Sequence, residues 1–220
     1  MNRHLFRDLL ENNTDLLLRM LKSNAPASPS VPKLPHWVVE QADVMRALRR
    51  NADLNTKPTS AFWDYAKGSE RLALLPHEAL EHVALCVAVA LLSETIAKVL
   101  DRASVQMLKK ALGETIYNYA LSRGRYQVHA LKRHFNEYAK NMPLEVRCQF
   151  LARALLETIR ATWPEALQMH TKALFQSLKL PQASPLVDGN ANALDVTPLW
   201  HLMRKILLRE LQPQWTSYFV

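Results

Sequence analysis

Residues 72–101 read LALLPHEALEHVALCVAVALLSETIAKVLD, the most hydrophobic part of the chain. Between Val83 and Leu92 the segment is apolar on nearly every side of a helix, the pattern of an element buried all round rather than along one stripe. Pro76 suits the first helical position, where a missing N–H costs nothing because helix starts leave it unpaired anyway. The uncharged stretch lies between Glu81 and Glu94, well short of the roughly 18–20 apolar residues that span a bilayer. A central, buried helix is the expectation.

Working towards the C-terminus, Asp101 is placed to cap a helix whose Val105, Leu108, Ala111 and Leu112 face inward. Lys109 and Lys110 fall in its last turn, opposite in sign to the negative end of the helix dipole, and Gly113 reads as its stop. A short helix through Ile116, Tyr117, Ala120 and Leu121 ends at Gly124 by the same logic. RYQVHAL, 125–131, alternates polar and apolar residues; helix is favoured there, with a brief extended stretch as the alternative. Leu144, Cys148, Leu151, Leu155 and Ile159 then step by 4, 3, 4 and 4, a helix stripe lasting until Trp163 and Pro164. Pro164 opens another helix, with Leu167, His170, Leu174 and Leu178 on one line. After a loop at 181–195, Thr197 as N-cap and Pro198 start a last helix with the face Leu199, Leu202, Met203, Ile206 and Leu207. The tail WTSYFV carries no charge and is expected to dock on the body or to serve as a contact site.

Towards the N-terminus, Leu5, Phe6, Leu9, Leu10, Leu16, Leu17, Met20 and Leu21 mark one face of a helix over 1–22, either packed on the core or detachable. SNAPASPSVPKLP, 23–35, holds four prolines and three serines and reads as a linker to a helical body over 36–220. Within that body a second helical pattern runs from about Trp37 to Arg50, followed by the turn-rich NADLNTKPTS and the aromatics Phe62, Trp63 and Tyr65. This amounts to about eight or nine helices in a single compact domain of the all-α class.

The composition agrees. The chain has 220 residues, 49% hydrophobic and 22% charged, near the globular average of about 45–50% and about 25%. It has four glycines, at 68, 113, 124 and 189, and these cannot write G-x-G-x-x-G, the phosphate loop G-x-x-x-x-G-K-[ST] or the nucleophile elbow G-x-S-x-G. Asp8, Glu11 and Asp15 interrupt the apolar run that a secretory signal needs, and Cys86 and Cys148 each sit in an apolar helical pattern as reduced thiols. A cytosolic address is expected.

Motifs that resemble catalytic or metal sites fail on spacing. HEALEH, His77 to His82, mimics the zinc-protease helix, but its second histidine stands at i+5, about 140° round the helix from the first. His129 and His134 share the defect, and neither cysteine has a partner at x₂ spacing. SVPK, Ser30 to Lys33, matches S-x-x-K, yet Pro29 and Pro32 deny it the helical turn that would bring amine to hydroxyl. Glu78 and Glu81 form an i, i+3 pair of the kind that arises by chance. No catalytic residue, metal ligand or cofactor site is read.

The charge is more informative. The chain carries a net +8, and Arg102 to Lys140 holds eight basic residues (Arg102, Lys109, Lys110, Arg123, Arg125, Lys132, Arg133, Lys140) against Glu114 and Glu137, so +6 of that excess lies there. Tyr117, Tyr119, Tyr126, Phe135 and Tyr138 are interleaved with it. Three readings fit: a solvated basic face above core aromatics, a surface for an acidic protein, or a nucleic-acid-binding helical module that stacks bases on the tyrosines.

LALLPHEAL (72–80) and ETIAKVLDRASVQMLKKALGETIYNYAL (94–121) resemble the SctK family, the YscK, OrgA and MxiK group of sorting-platform accessory proteins in bacterial type III secretion systems. The likeness is carried by Leu72-Ala73-Leu74-Leu75-Pro76, Val99-Leu100-Asp101, Ala111-Leu112-Gly113-Glu114, and Tyr117, Ala120 and Leu121. It implies a non-enzymatic cytoplasmic adaptor beneath the inner-membrane ring, joining the cytosolic domain of the ring protein to the pod protein and so supporting export of virulence cargo. It carries over no binding motif. Arg123, Arg125, Lys132 and Arg133, with Lys109 and Lys110, are therefore the candidate partner-binding residues on charge alone.

Overall fold

A computed structural model describes Tyr65, residues 67–126, Phe135, 138–186, 196–210 and Phe219. The expected helix over 1–22, the linker over 23–35, the pattern from Trp37 to Arg50, and Phe62 and Trp63 lie outside the described residues. Among the described residues every regular element is helical, as the composition predicts, and none is a strand. Eight α-helices lie among the described residues: α1 (His77–Leu91), α2 (Ser93–Ala97), α3 (Arg102–Leu112), α4 (Glu114–Ser122), α5 (Leu144–Arg160), α6 (Glu165–His170), α7 (Lys172–Ser177) and α8 (Thr197–Glu210). Short 3-10 turns occupy Gly68–Leu74 and Gly124–Tyr126. Contacts divide these residues into two units, one with the segment before Pro76 and Trp163–Ser177, the other with Pro76–Thr162 and the chain from Leu178 to α8.

In the larger unit α1 is the hub. From Val83 to Leu92 its side chains are buried except Leu85, which is half-buried, and α1 packs against α4, α5, α8 and the Gly124–Tyr126 turn. Each fully buried Leu or Val there contributes roughly 1.5–3 kcal/mol. Pro76 is the N-cap rather than the first helical residue: its backbone is extended (φ −64°, ψ 155°) and its carbonyl accepts the first helical bond from Leu80. The predicted stripe of α5 is buried from Cys148 to Ile159, and that of α8 is buried at all five positions. Leu186 donates its amide to Thr158 Oγ1 at 2.8 Å, while that hydroxyl donates to Ala154 O, so the segment after Leu178 is pinned to α5.

Arg147 of α5 is 4% exposed and gathers the chain before it, donating from Nε to Tyr138 O (2.7 Å) and from Nη2 to Phe135 O (3.2 Å). Further along α5, Glu157 accepts from Arg153 at 2.7 Å and from Arg160 at 3.1 Å. Burial pushes the thiols of Cys86 and Cys148 up to about 12, which keeps both protonated.

In the smaller unit, Arg71 donates to Tyr65 O and Glu70 accepts from the Lys67 amide, both side chains being buried in the 3-10 turn. Trp163 and Phe175 pack edge to face with centroids 5.9 Å apart. The single helix expected after Pro164 is two. Thr171 is buried with its hydroxyl turned back onto Leu167 O (2.8 Å) and Gln168 O (3.2 Å), and the last turn of α6 ends there. The spacing of the leucines does not reveal that interruption.

Candidate partner-binding surface

The basic region is built on α3, α4 and the turn after them. Asp101 caps α3 as expected, its Oδ1 accepting from the Ser104 amide at 2.8 Å, and that bond holds the carboxyl below the usual carboxylate range. Leu108 and Leu112 bury the inner face, with Val105 and Ala111 half-buried beside them. Gly113 closes α3 by donating to Lys109 O and starts α4 at once; its φ of 83° with ψ of 150° is a conformation essentially restricted to glycine.

Gly124 serves a different purpose from the helix stop expected of it. Its φ is not positive, α4 ends at Ser122 with Arg123 as C-cap, and Gly124 is buried at the start of the 3-10 turn. A Cβ there would meet Ala90 Cα at 3.2 Å and Tyr119 O at 3.3 Å, so the position is glycine because backbone lies against backbone. Arg125 and Tyr126 belong to this turn rather than to a helix or strand, and 127–131 lie outside the described residues.

The candidate residues form two pairs. Lys109 is half-buried on the last turn of α3, its Nζ 2.9 Å from Glu114 Oε1 and 5.5 Å from the Tyr117 ring centroid, with Lys110 exposed beside it. Arg123 and Arg125 flank Gly124 at the far end of α4, a helix of nine residues roughly 13 Å long at 1.5 Å per residue. Arg123 reaches Glu210 at the end of α8 (3.1 Å) while 67% of its side chain stays open to solvent. The Arg125 guanidinium lies over the Tyr126 ring, 5.1 Å from its centroid. Lys132 and Arg133 lie outside the described residues.

The interleaved aromatics separate sharply. Tyr117, Tyr119 and Phe135 are buried, Tyr138 is half-buried, and Tyr126 is 69% exposed. Sequence reasoning grouped them together; the helical spacing that buries Ile116, Tyr117 and Ala120 on α4 ends before Tyr126, and that is the signal which sets it apart. Glu114 lies within reach of Lys109 in sequence, but nothing local announces Glu210 as the partner of Arg123.

The HEALEH segment places His77 and Glu78 on the first turn of α1, 2.9 Å apart, with His82 half-buried one turn further and its Nε2 3.7 Å from Cys86 Sγ. Burial lowers the His82 pKa against the opposing pull of Glu210. Among the described residues no group of three or more His, Cys, Asp or Glu is arranged to hold a metal ion, and no helix is long and apolar enough to cross a membrane.

No curated protein and no solved structure matches this chain. A family model described as YOP proteins translocation protein K (YscK) matches residues 21–213, which takes in all eight described helices and every candidate residue. That span is most of the 220 residues, and it extends the likeness seen over 72–121 to the N- and C-terminal segments. The chain therefore belongs to the YscK family, the SctK family of type III secretion, and is a type III secretion protein involved in protein export.

Proposed function

We propose that the chain is a non-enzymatic adaptor of the secretion sorting platform, linking the cytosolic domain of the inner-membrane ring protein to the pod protein. It works at the cytoplasmic face of the inner membrane, held there through its partners. The observation that carries this reading is the family match over residues 21–213. The surface supports it: α3 exposes Lys110 and packs on α4 and α5, while the end of α4 and the turn after it expose Arg123, Arg125 and Tyr126 and pack on the buried α1. Such a body presents charge on a preformed scaffold, which suits recognition of acidic protein surfaces.

Mixing the purified chain with the ring protein's cytosolic domain and the pod protein tests the reading, with size-exclusion chromatography and light scattering as the readout. A complex containing all three is expected; binding to neither partner rejects the adaptor role. Lys110→Glu with Arg125→Glu is expected to weaken capture of at least one partner, and unchanged capture of both rejects the basic surface as an interface. Retardation of duplex DNA or RNA that falls steeply with salt favours the nucleic-acid alternative instead.

A further inference from the structure

The Gly124–Tyr126 turn combines features that no other part of the basic region has among the described residues. Gly124 seats its backbone against Ala90 of α1, so the turn is held by the core and does not need to be ordered on binding. From that seat Tyr126 projects 69% of its surface into solvent, more than any other aromatic side chain among the described residues. Arg125 lies over its ring, and Arg123, anchored by Glu210, stands on the other side of Gly124. Asn118 to Tyr126 contains no acidic residue. Tyrosine and arginine dominate interface hot spots because they offer large, stiff contact area together with hydrogen-bonding groups.

We propose that this turn anchors a protein–protein interface, with Arg125 and Tyr126 as its hot spot and Arg123 beside them, and that the partner presents carboxylates to it. The inference rests on the adaptor reading and adds the residues and the partner's chemistry. Charge complementarity selects the carboxylates. A nucleic acid fits less well: Tyr117 and Tyr119 are buried, so among the described residues of the basic region no run of aromatic faces is laid out for successive bases.

The test is calorimetric titration of the full chain and of Tyr126→Ala, Arg125→Ala and Tyr126→Phe variants against the ring protein's cytosolic domain and against the pod protein. Both alanine variants are expected to bind one of the two partners about tenfold or more weakly, with Tyr126→Phe close to wild type and thermal melting unchanged in all three. Binding of that partner is expected to weaken as salt rises, as carboxylate recognition requires. If wild type binds a partner and both alanine variants bind it equally well, this inference fails while the adaptor reading stands. Wild type binding neither protein removes the adaptor reading and the inference with it. Tighter binding of wild type to duplex DNA than to either protein, lost in Tyr126→Ala, overturns the protein partner.

Discussion

Arg123 at the end of α4 and Glu210 at the end of α8 meet at 3.1 Å, although 87 residues separate them in the chain. The arginine is largely exposed and the carboxylate is not, 67% against 15%, so the pair closes one end of the bundle while leaving the guanidinium in reach of a partner. Exposed ion pairs contribute about 0–1 kcal/mol, and Arg123→Ala is expected to lower stability by no more than that in urea titration. Arg123→Glu is expected to cost more by setting two carboxylates together, and Glu210→Arg in the same chain to restore the loss. A binding defect in Arg123→Ala then reports on the surface and not on the fold.

The two helix-end glycines are expected to resist alanine for different reasons. Gly113→Ala meets no neighbour within 4 Å but strains the backbone at φ 83°, a cost of about 1–3 kcal/mol. Gly124→Ala keeps an ordinary φ and presses on Ala90 Cα, an overpacking cost of about 1–3 kcal/mol. Hydrogen exchange separates them: the first is expected to loosen the α3–α4 junction, the second the packing of α1 against the turn.

Arg147→Met is expected to destabilise the protein by about 2–4 kcal/mol, because it leaves the Tyr138 and Phe135 carbonyls without their charged donor. Arg147→Lys restores little, since an ammonium lacks the planar fork that serves two carbonyls at once. Denaturant midpoints for the three chains check both statements.

The stripes of α5 and α8 were legible because burial on one face writes a period near 3.6 into the sequence, and Leu199, Leu202, Met203, Ile206 and Leu207 are all buried as their spacing predicts. The break at Thr171 was not legible, because the spacing of Leu167, Leu174 and Leu178 runs through it unchanged. The candidate surface was legible as a charge excess and only in part as geometry. Lys109 and Arg123 count as positive in any sequence tally, yet each is matched by a carboxylate, and the exposure of Tyr126 depends on where α4 stops.

Cys86 and Cys148 are expected to stay unreactive towards a disulfide reagent at pH 8 in the native protein, with burial holding both thiols near 12, and to react together once the chain is unfolded in guanidinium. Rapid native labelling of either would contradict the packing of α1 or α5 respectively.

His82 gives stability a defined pH dependence. Burial lowers its pKa in the folded chain below the unfolded value of about 6.5, so the unfolded chain binds more protons as the solution is acidified. Its contribution is complete above about pH 6.5 and is lost as pH falls through the lowered folded pKa. His82→Gln is expected to flatten the decline of the urea midpoint between about pH 7 and pH 5 relative to wild type.

The contact of Gly124 with Ala90 also has a mechanical meaning. Close-packed interiors compress little and pass strain on to their neighbours. A pull on the turn that carries Tyr126 enters α1 directly through two backbones in contact, and α1 delivers it to α5 and α8, which it also touches. A load applied at that corner is therefore borne by the whole helical hub as by a stiff strut.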